Sequence, residues 1–185
     1  MKLAAVIATG MLASPALAAP VEARDAAGLE RRVPILYCPA NVNANGVATT
    51  ILKIDTEWAT GQARKAAFDD KTKSGDPHRY MNGDHLAFPP YHCNLPTTAL
   101  FEYPVYWIGH NEKNPEWIKD RKTTDQPGGP TPLRVVYANV NGAVYFCGVM
   151  THATVTADYR GEGRFYRCLE DADAARTIGQ RAAGQ

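Results

Sequence analysis

The sequence predicts an α+β domain in which one long α-helix packs on a twisted antiparallel β-sheet, leaving the other sheet face for a ligand. Three observations carry this reading. Val47, Ile51, Ile54 and Trp58 recur at helical spacing between Asn45 and Phe68, while Lys53, Asp55, Glu57 and Arg64 fall largely elsewhere, which predicts the helix. Beyond Tyr80 the texture changes to short aromatic and β-branched runs punctuated by Pro, Gly and Asn, the pattern of strands. Between two such runs stands Asn141-Gly142, a pair that supplies the positive φ values of a tight antiparallel hairpin.

Taken in chain order, Met1-Lys2 and the small, apolar run Leu3 to Ala18, closing on Ala16-Leu17-Ala18, read as a cleaved secretory signal peptide over residues 1–18. The run is short, Ala-rich and broken by Gly10 and Pro15, which argues against a membrane anchor of about 20 strongly apolar residues. Residues 19–32 end in Arg31-Arg32 and read as a propeptide cut after a dibasic pair, so residues 33–185 are expected to form the single mature domain. Asp69 to Asp76 reads as a solvated loop without core residues. Strands are expected at Leu100 to Ile108, Leu133 to Val140, Ala143 to Thr151 and Arg164 to Cys168. The polar segment Asn111 to Pro130 reads as a long mobile loop, and the tail after Cys168 as frayed.

A chain of 185 residues with 45% hydrophobic content can bury a core without metal or repeats. Its 20 Lys and Arg against 19 Asp and Glu exclude a polycation that holds nucleic acid by charge alone, so any phosphate contact must come from a local site. Removing residues 1–32 takes away four basic and three acidic residues and leaves the remainder formally neutral. All four cysteines, Cys38, Cys93, Cys147 and Cys168, lie within that remainder. An even count in a secreted chain favours two disulfides, with three pairings open, and the lack of a Cys-x-x-Cys argues against a zinc or thioredoxin-type site.

Candidate chemistry sits on the strands. Glu102, Arg134 and His152 each lie beside bulky apolar residues in a different predicted strand, where a charge needs a partner. Period-two alternation puts Phe101, Tyr103, Val105 and Trp107 on one face and Glu102 and Tyr106 on the other. The same alternation groups His152 with Met150, Gly148 and Phe146, and turns Cys147 and Val149 away. Glu102 and His152 are thus expected to share the face away from the helix, where a carboxylate, an imidazole and a guanidinium make an acid, a base and an anion clamp. His85, His92 and His110 read as structural or surface residues, and Tyr91, Tyr106 and Trp107 as core or loop aromatics.

Five short blocks in order resemble the fungal secreted guanyl-preferring ribonuclease family, which includes ribotoxins such as α-sarcin. They are Pro77-His78-Arg79-Tyr80, Phe101-Glu102-Tyr103-Pro104, Arg134-Val135-Val136-Tyr137, Cys147 to His152 and Gly163 to Cys168. The resemblance spans roughly Tyr37 to Cys168. It implies disulfides Cys38 with Cys168 and Cys93 with Cys147. It also implies Glu102 as general base, His152 as general acid, His78 and Arg134 as cations on the phosphorane, and Phe165 shaping the phosphate pocket. No cofactor or metal is implied. The expected partner is single-stranded RNA or ribosomal RNA, cleaved through a 2′,3′-cyclic phosphate to a 3′-phosphate by a secreted monomer with no membrane role. DNA, lacking the nucleophile, should survive.

For base recognition the resemblance implies Tyr80 stacking on a purine, with Asn82 and Asp84 in the segment that reads guanine. Met81 and Gly83 depart from the most guanine-selective pattern. Asp76 stands where the family often has Tyr, and an acid beside the cationic pocket predicts a slower enzyme. Reference values of about 4.3 for Glu and about 6.5 for His predict a bell-shaped rate profile on the mildly acidic to neutral side. Two other functions fit the same residues: a ribotoxin cutting one ribosomal loop, with Lys113, Lys119, Arg121 and Lys122 as its grip, and a catalytically weak effector that binds RNA or host proteins.

Overall fold

The computed structural model describes residues 33–44, 47–110, 112–113 and 116–182. The expected signal peptide and propeptide lie outside the described residues. Within them the chain begins with a hairpin, β1 (Ile35–Ala44) and β2 (Val47–Asp55), followed by α1 (Thr56–Ala66). The helix is therefore half the length that the apolar spacing suggested, and its expected first half is a strand. The reason is visible where the side chains are described: Leu52 and Ile54 are buried around exposed Lys53, a period of two. Val47, Thr49, Thr50, Ile51 and Ile54 are β-branched, which suits a pleated surface better than a helix. Asp55 sets the helix start, accepting a 2.8 Å hydrogen bond from the Trp58 N–H.

The remaining strands are β3 (His78–Arg79), β4 (Ala99–Val105), β5 (Leu133–Val140), β6 (Ala143–Val155) and β7 (Gly161–Arg167). They join the hairpin in one sheet of order β2-β1-β6-β5-β4-β3, with β7 also paired to β6. All pairings are antiparallel except a short parallel contact of Asn41 and Val42 with Thr154 and Val155. Asn141 and Gly142 turn β5 into β6 with φ of 54° and 84°, as the Asn-Gly pair predicts.

Two cores lie on opposite faces of this sheet. Ala59, Ala63 and Ala66 of α1 pack on Phe101, Tyr103, Val105, Leu133, Val135, Tyr137 and Val149; the small helix residues let the helix lie close, and each fully buried Val or Leu contributes roughly 1.5–3 kcal/mol. The other face carries a second cluster of Tyr80, Phe88, Leu100, Val136, Ala138 and Met150. A β-bulge at Cys147 corrects the expected alternation of β6. Val136 pairs with Gly148 but Tyr137 pairs with Phe146, so Cys147 is surplus. Phe146 accordingly packs with the helix-side core and Cys147 with the second cluster. Tyr106 also moves sides: β4 ends at Val105, and the Tyr106 ring joins the helix-side core with its hydroxyl donating to Gly129 O.

Two loop expectations are corrected, and the expected solvated loop at 69–76 gains an anchor at its end. The tail after Cys168 does not fray: Tyr37 and Leu169 exchange two backbone hydrogen bonds, and α2 (Ala172–Ala182) buries Ala175. The 111–130 segment, where described, is anchored. Buried Gln126 donates to Ile118 O and Arg121 O and accepts from Ile118 N, while the Tyr103 hydroxyl donates to Trp117 O. The 69–76 loop is pinned to it through Ser74 N–H to Lys119 O and Thr123 Oγ1 to Ser74 O, and buries Asp76. Disulfides join Cys38 to Cys168 and Cys93 to Cys147, the pairings the resemblance implies.

Candidate active site

The register brings the chemistry-bearing residues together. His78 pairs with Glu102, Glu102 with Val136 and Val136 with Gly148; one step along, Pro104 pairs with Arg134 and Arg134 with Met150; then His152 pairs with Phe165. Because strand residues two apart share a face, His78, Glu102, Arg134, His152 and Phe165 all stand on the face away from α1.

Glu102 is only 7% exposed. Its Oε1 lies 2.5 Å from His78 Nε2, while its Oε2 is buried without a protein partner. His78 Nδ1 in turn lies 3.1 Å from Asp76 Oδ1. Carboxylates accept and cannot donate when ionised, so both ring nitrogens carry protons and His78 is an imidazolium. The hydrogen bonds to Asp76 and then Glu102 outweigh partial burial and push its pKa up to about 10. Asp76, itself 7% exposed, is therefore a built part of the site rather than a stray acid. Ser74 Oγ accepts from its backbone N–H, and Thr72 Oγ1 and Ser74 Oγ both donate to its carbonyl.

Arg134 is half-buried, and its Nη1 donates to the carbonyls of Thr131 and Leu133 at 2.8 and 2.9 Å. No ion pair with Glu102 forms, so the bridge between them that would make Arg134 merely structural is absent among the described residues. Burial lowers the guanidinium pKa, with Asp76 and Glu102 opposing that shift. Guanidinium is always charged in proteins, and Nη2 and Nε remain for an anion.

His152 Nδ1 lies 3.0 Å from Gly163 O, a carbonyl that can only accept, so Nδ1 donates and the Nδ1–H tautomer is fixed for the neutral ring. Phe165 packs on the imidazole with ring centroids 3.9 Å apart. Desolvation, and then the charge of Arg134, hold the His152 pKa below its ordinary value against the raising effects of Gly163, Glu102 and Asp84.

The expected base-reading segment is tightly braced. Asn82 accepts from the Tyr80 hydroxyl and Leu86 N–H and donates to Leu86 O. Asp84 Oδ2 accepts from the Phe165 N–H at 3.0 Å, tying this loop to β7. Tyr80 is only 7% exposed, with Phe88 and Phe165 edge-on to its ring, and burial pushes its phenol pKa up. Beside Tyr80 the side chain of Met81 is 81% exposed.

Sequence reading missed Asp76 as a partner of His78 and Gly163 as the acceptor that fixes the His152 ring. The first depends on the cis Asp76–Pro77 peptide that turns the chain just before β3, and the second is a main-chain atom, so neither left a signature in the sequence.

Known proteins share this fold. Residues 44–168 match the ribonuclease family model. The solution structure of hirsutellin A from Hirsutella thompsonii is similar, with 46% identity, a TM-score of 0.63, and coverage of 74% of this chain and 99% of that one. No curated protein matches the chain. From the family match, the shared fold and the two disulfides, this chain belongs to the fungal ribonuclease and ribotoxin family.

Proposed function

We propose that this protein is a secreted, metal-independent endoribonuclease that uses the ribose 2′-hydroxyl of RNA as its nucleophile. One observation carries the reading: the Glu102 Oε2, buried and unpartnered on the sheet face that also holds His152. A buried oxygen with nothing to accept from is poised to take a proton. Glu102 removes the 2′-hydroxyl proton, the oxygen attacks the adjacent phosphorus, and His152 Nε2 gives its proton to the departing 5′-oxygen. This yields a 2′,3′-cyclic phosphate, and water then opens it to a 3′-phosphate with the two groups exchanging roles.

Arg134 and the His78 cation offset the charge that grows on the phosphoryl oxygens. Both His78 N–H groups are already held by carboxylates, so His78 works by its charge and by orienting Glu102. Phe165 closes the apolar side of the pocket against His152. Base selection falls to the 80–84 segment, where Asp84 Oδ1 and the main chain are the acceptors and donors left for a purine edge. Synthetic dinucleotides test the reading. Cleavage should leave a 2′,3′-cyclic end and then a 3′-phosphate, a 2′-deoxy analogue should be inert, and a 5′-phosphate product would refute the mechanism.

A second reading, cleavage of one ribosomal RNA loop, is favoured by the anchored 116–130 segment. It holds Lys119, Arg121 and Lys122 beside the loop bearing Lys71 and Lys73, joined through Ser74, as a preformed contact surface. Intact ribosomes and naked RNA separate the two: one discrete fragment supports the toxin, and general degradation the ribonuclease.

A further inference from the structure

β7 carries one surplus residue between Phe165, which pairs with His152, and Glu162, which pairs with Thr154, so simple alternation breaks there and Gly161, Gly163 and Phe165 all come up against His152 of β6. Two of the three contacts are described above: the Gly163 carbonyl takes the Nδ1 proton, and the Phe165 ring lies on the imidazole. The third is an absence of atoms. A Cβ built on Gly161 would stand 2.5 Å from Cγ and 2.8 Å from Cβ of His152, and nearer still to Cδ2. Real Cβ atoms do not approach so closely. The contacted atoms include the root of the His152 side chain, so rotating the ring tip would not relieve the clash. A glycine within a strand weakens it and often marks a close approach of another group. Here that group is the imidazole.

We propose that Gly161 is a positioning residue for the general acid: by carrying no side chain it lets the His152 imidazole lie against β7, where Gly163 O and Phe165 fix which nitrogen faces the substrate. The proposal rests on the ribonuclease reading for its catalytic meaning, but the seat itself is a structural matter. The ring is also flanked electrostatically by Arg134 of β5, Glu102 of β4 and Asp84 of the 80–84 loop, while the three atoms nearest a Cβ at Gly161 all belong to His152. Gly161 thus acts on ring position and tautomer, leaving phosphate binding by Arg134 in place.

The test is Gly161→Ala in the full mature protein, with Gly61→Ala on α1, where an added Cβ meets nothing within 4 Å, as the control. On a dinucleotide substrate, Gly161→Ala should lower kcat about 10²-fold, the cost of a misplaced catalytic group, with KM unchanged within about twofold. Imidazole ¹⁵N NMR should show the neutral His152 ring protonated at Nδ1 in the parent and losing that preference in Gly161→Ala. A thermal double-mutant cycle guards against mere misfolding: Gly161→Ala should lower Tm in the parent and cost much less in a His152→Ala background, where the clash is gone. An unchanged tautomer with unchanged kcat, or an equal Tm loss in both backgrounds, overturns the proposal. An inactive parent with the tautomer change intact refutes the ribonuclease reading and leaves the seat standing.

Discussion

The two faces of the sheet share seven strands and obey different rules. Toward α1 most buried side chains are apolar and fit by volume: Leu133, Val135, Tyr137 and Val149 meet a helix face of alanines, and the Tyr137 hydroxyl is satisfied by Ala67 O. On the other face the sheet places Glu102, His78, Arg134 and His152 among Val136, Met150 and Phe165, where carbonyls hold Arg134 Nη1 and His152 Nδ1, carboxylates hold both His78 nitrogens, and the buried Glu102 Oε2 has no protein partner. A hydrophobic face can lose a methyl group and remain itself. A catalytic face can keep every atom of its bulk and lose its purpose with one proton.

Substitutions should therefore sort by face. The largest effects belong to Glu102→Gln and His152→Gln, each expected to cut kcat by about 10²–10⁴ while Tm scarcely changes. Loss of cooperative unfolding in either variant would mean the faces are not separable. Next, replacing Cys93 and Cys147 together by Ser releases a 54-residue separation and should cost roughly 4 kcal/mol in the chain-entropy estimate. Denaturant titration measures it, and activity below the unfolding midpoint should suffer as well, because the lost bond anchors the wall around Phe88. On the helix side, Leu133→Ala should cost roughly 2–5 kcal/mol yet leave the kcat of the folded fraction near the parent value.

Smaller changes sharpen the contrast through protons. On the proposed mechanism the alkaline limb of the rate profile follows the acid form of His152, whose pKa is lowered, so it should lie below about pH 6.5. Arg134→Gln should move it upward as well as slow the reaction. His78 titrates near 10 in the folded chain against about 6.5 unfolded, so its stabilisation is whole below pH 6.5 and fades as pH rises through 10. The side chain is half exposed, which keeps the effect modest. Asp76→Asn removes the largest cause of the elevation, and NMR titration should find His78 well below 10 with a flatter Tm profile above pH 7.

Much of the candidate site was legible because strand parity is a local rule: Glu102 and His152 fall on the predicted side, and the Asn141-Gly142 turn fixes the pairing that brings Arg134 near them. Two things hid the rest. Val47, Ile51, Ile54 and Trp58 satisfy a helical period by coincidence across a strand–helix junction, while the Asp55 cap that marks the true start went unused. Parity also cannot foresee a surplus residue, so Phe146 and Cys147 were assigned to each other's faces. The anchoring of the 116–130 segment depends on Gln126, a polar residue whose burial only the folded chain reveals.

That surplus residue sets the length tolerance of the β5–β6 hairpin. Removing one residue between Ala143 and Cys147 would restore even pairing with β5, turn an aromatic toward the substrate and swing the remaining thiol to the helix side, away from Cys93. Homologues that shorten this arm must therefore give up the cross-link or bulge elsewhere, so arm length and the presence of that cysteine pair should be inherited together.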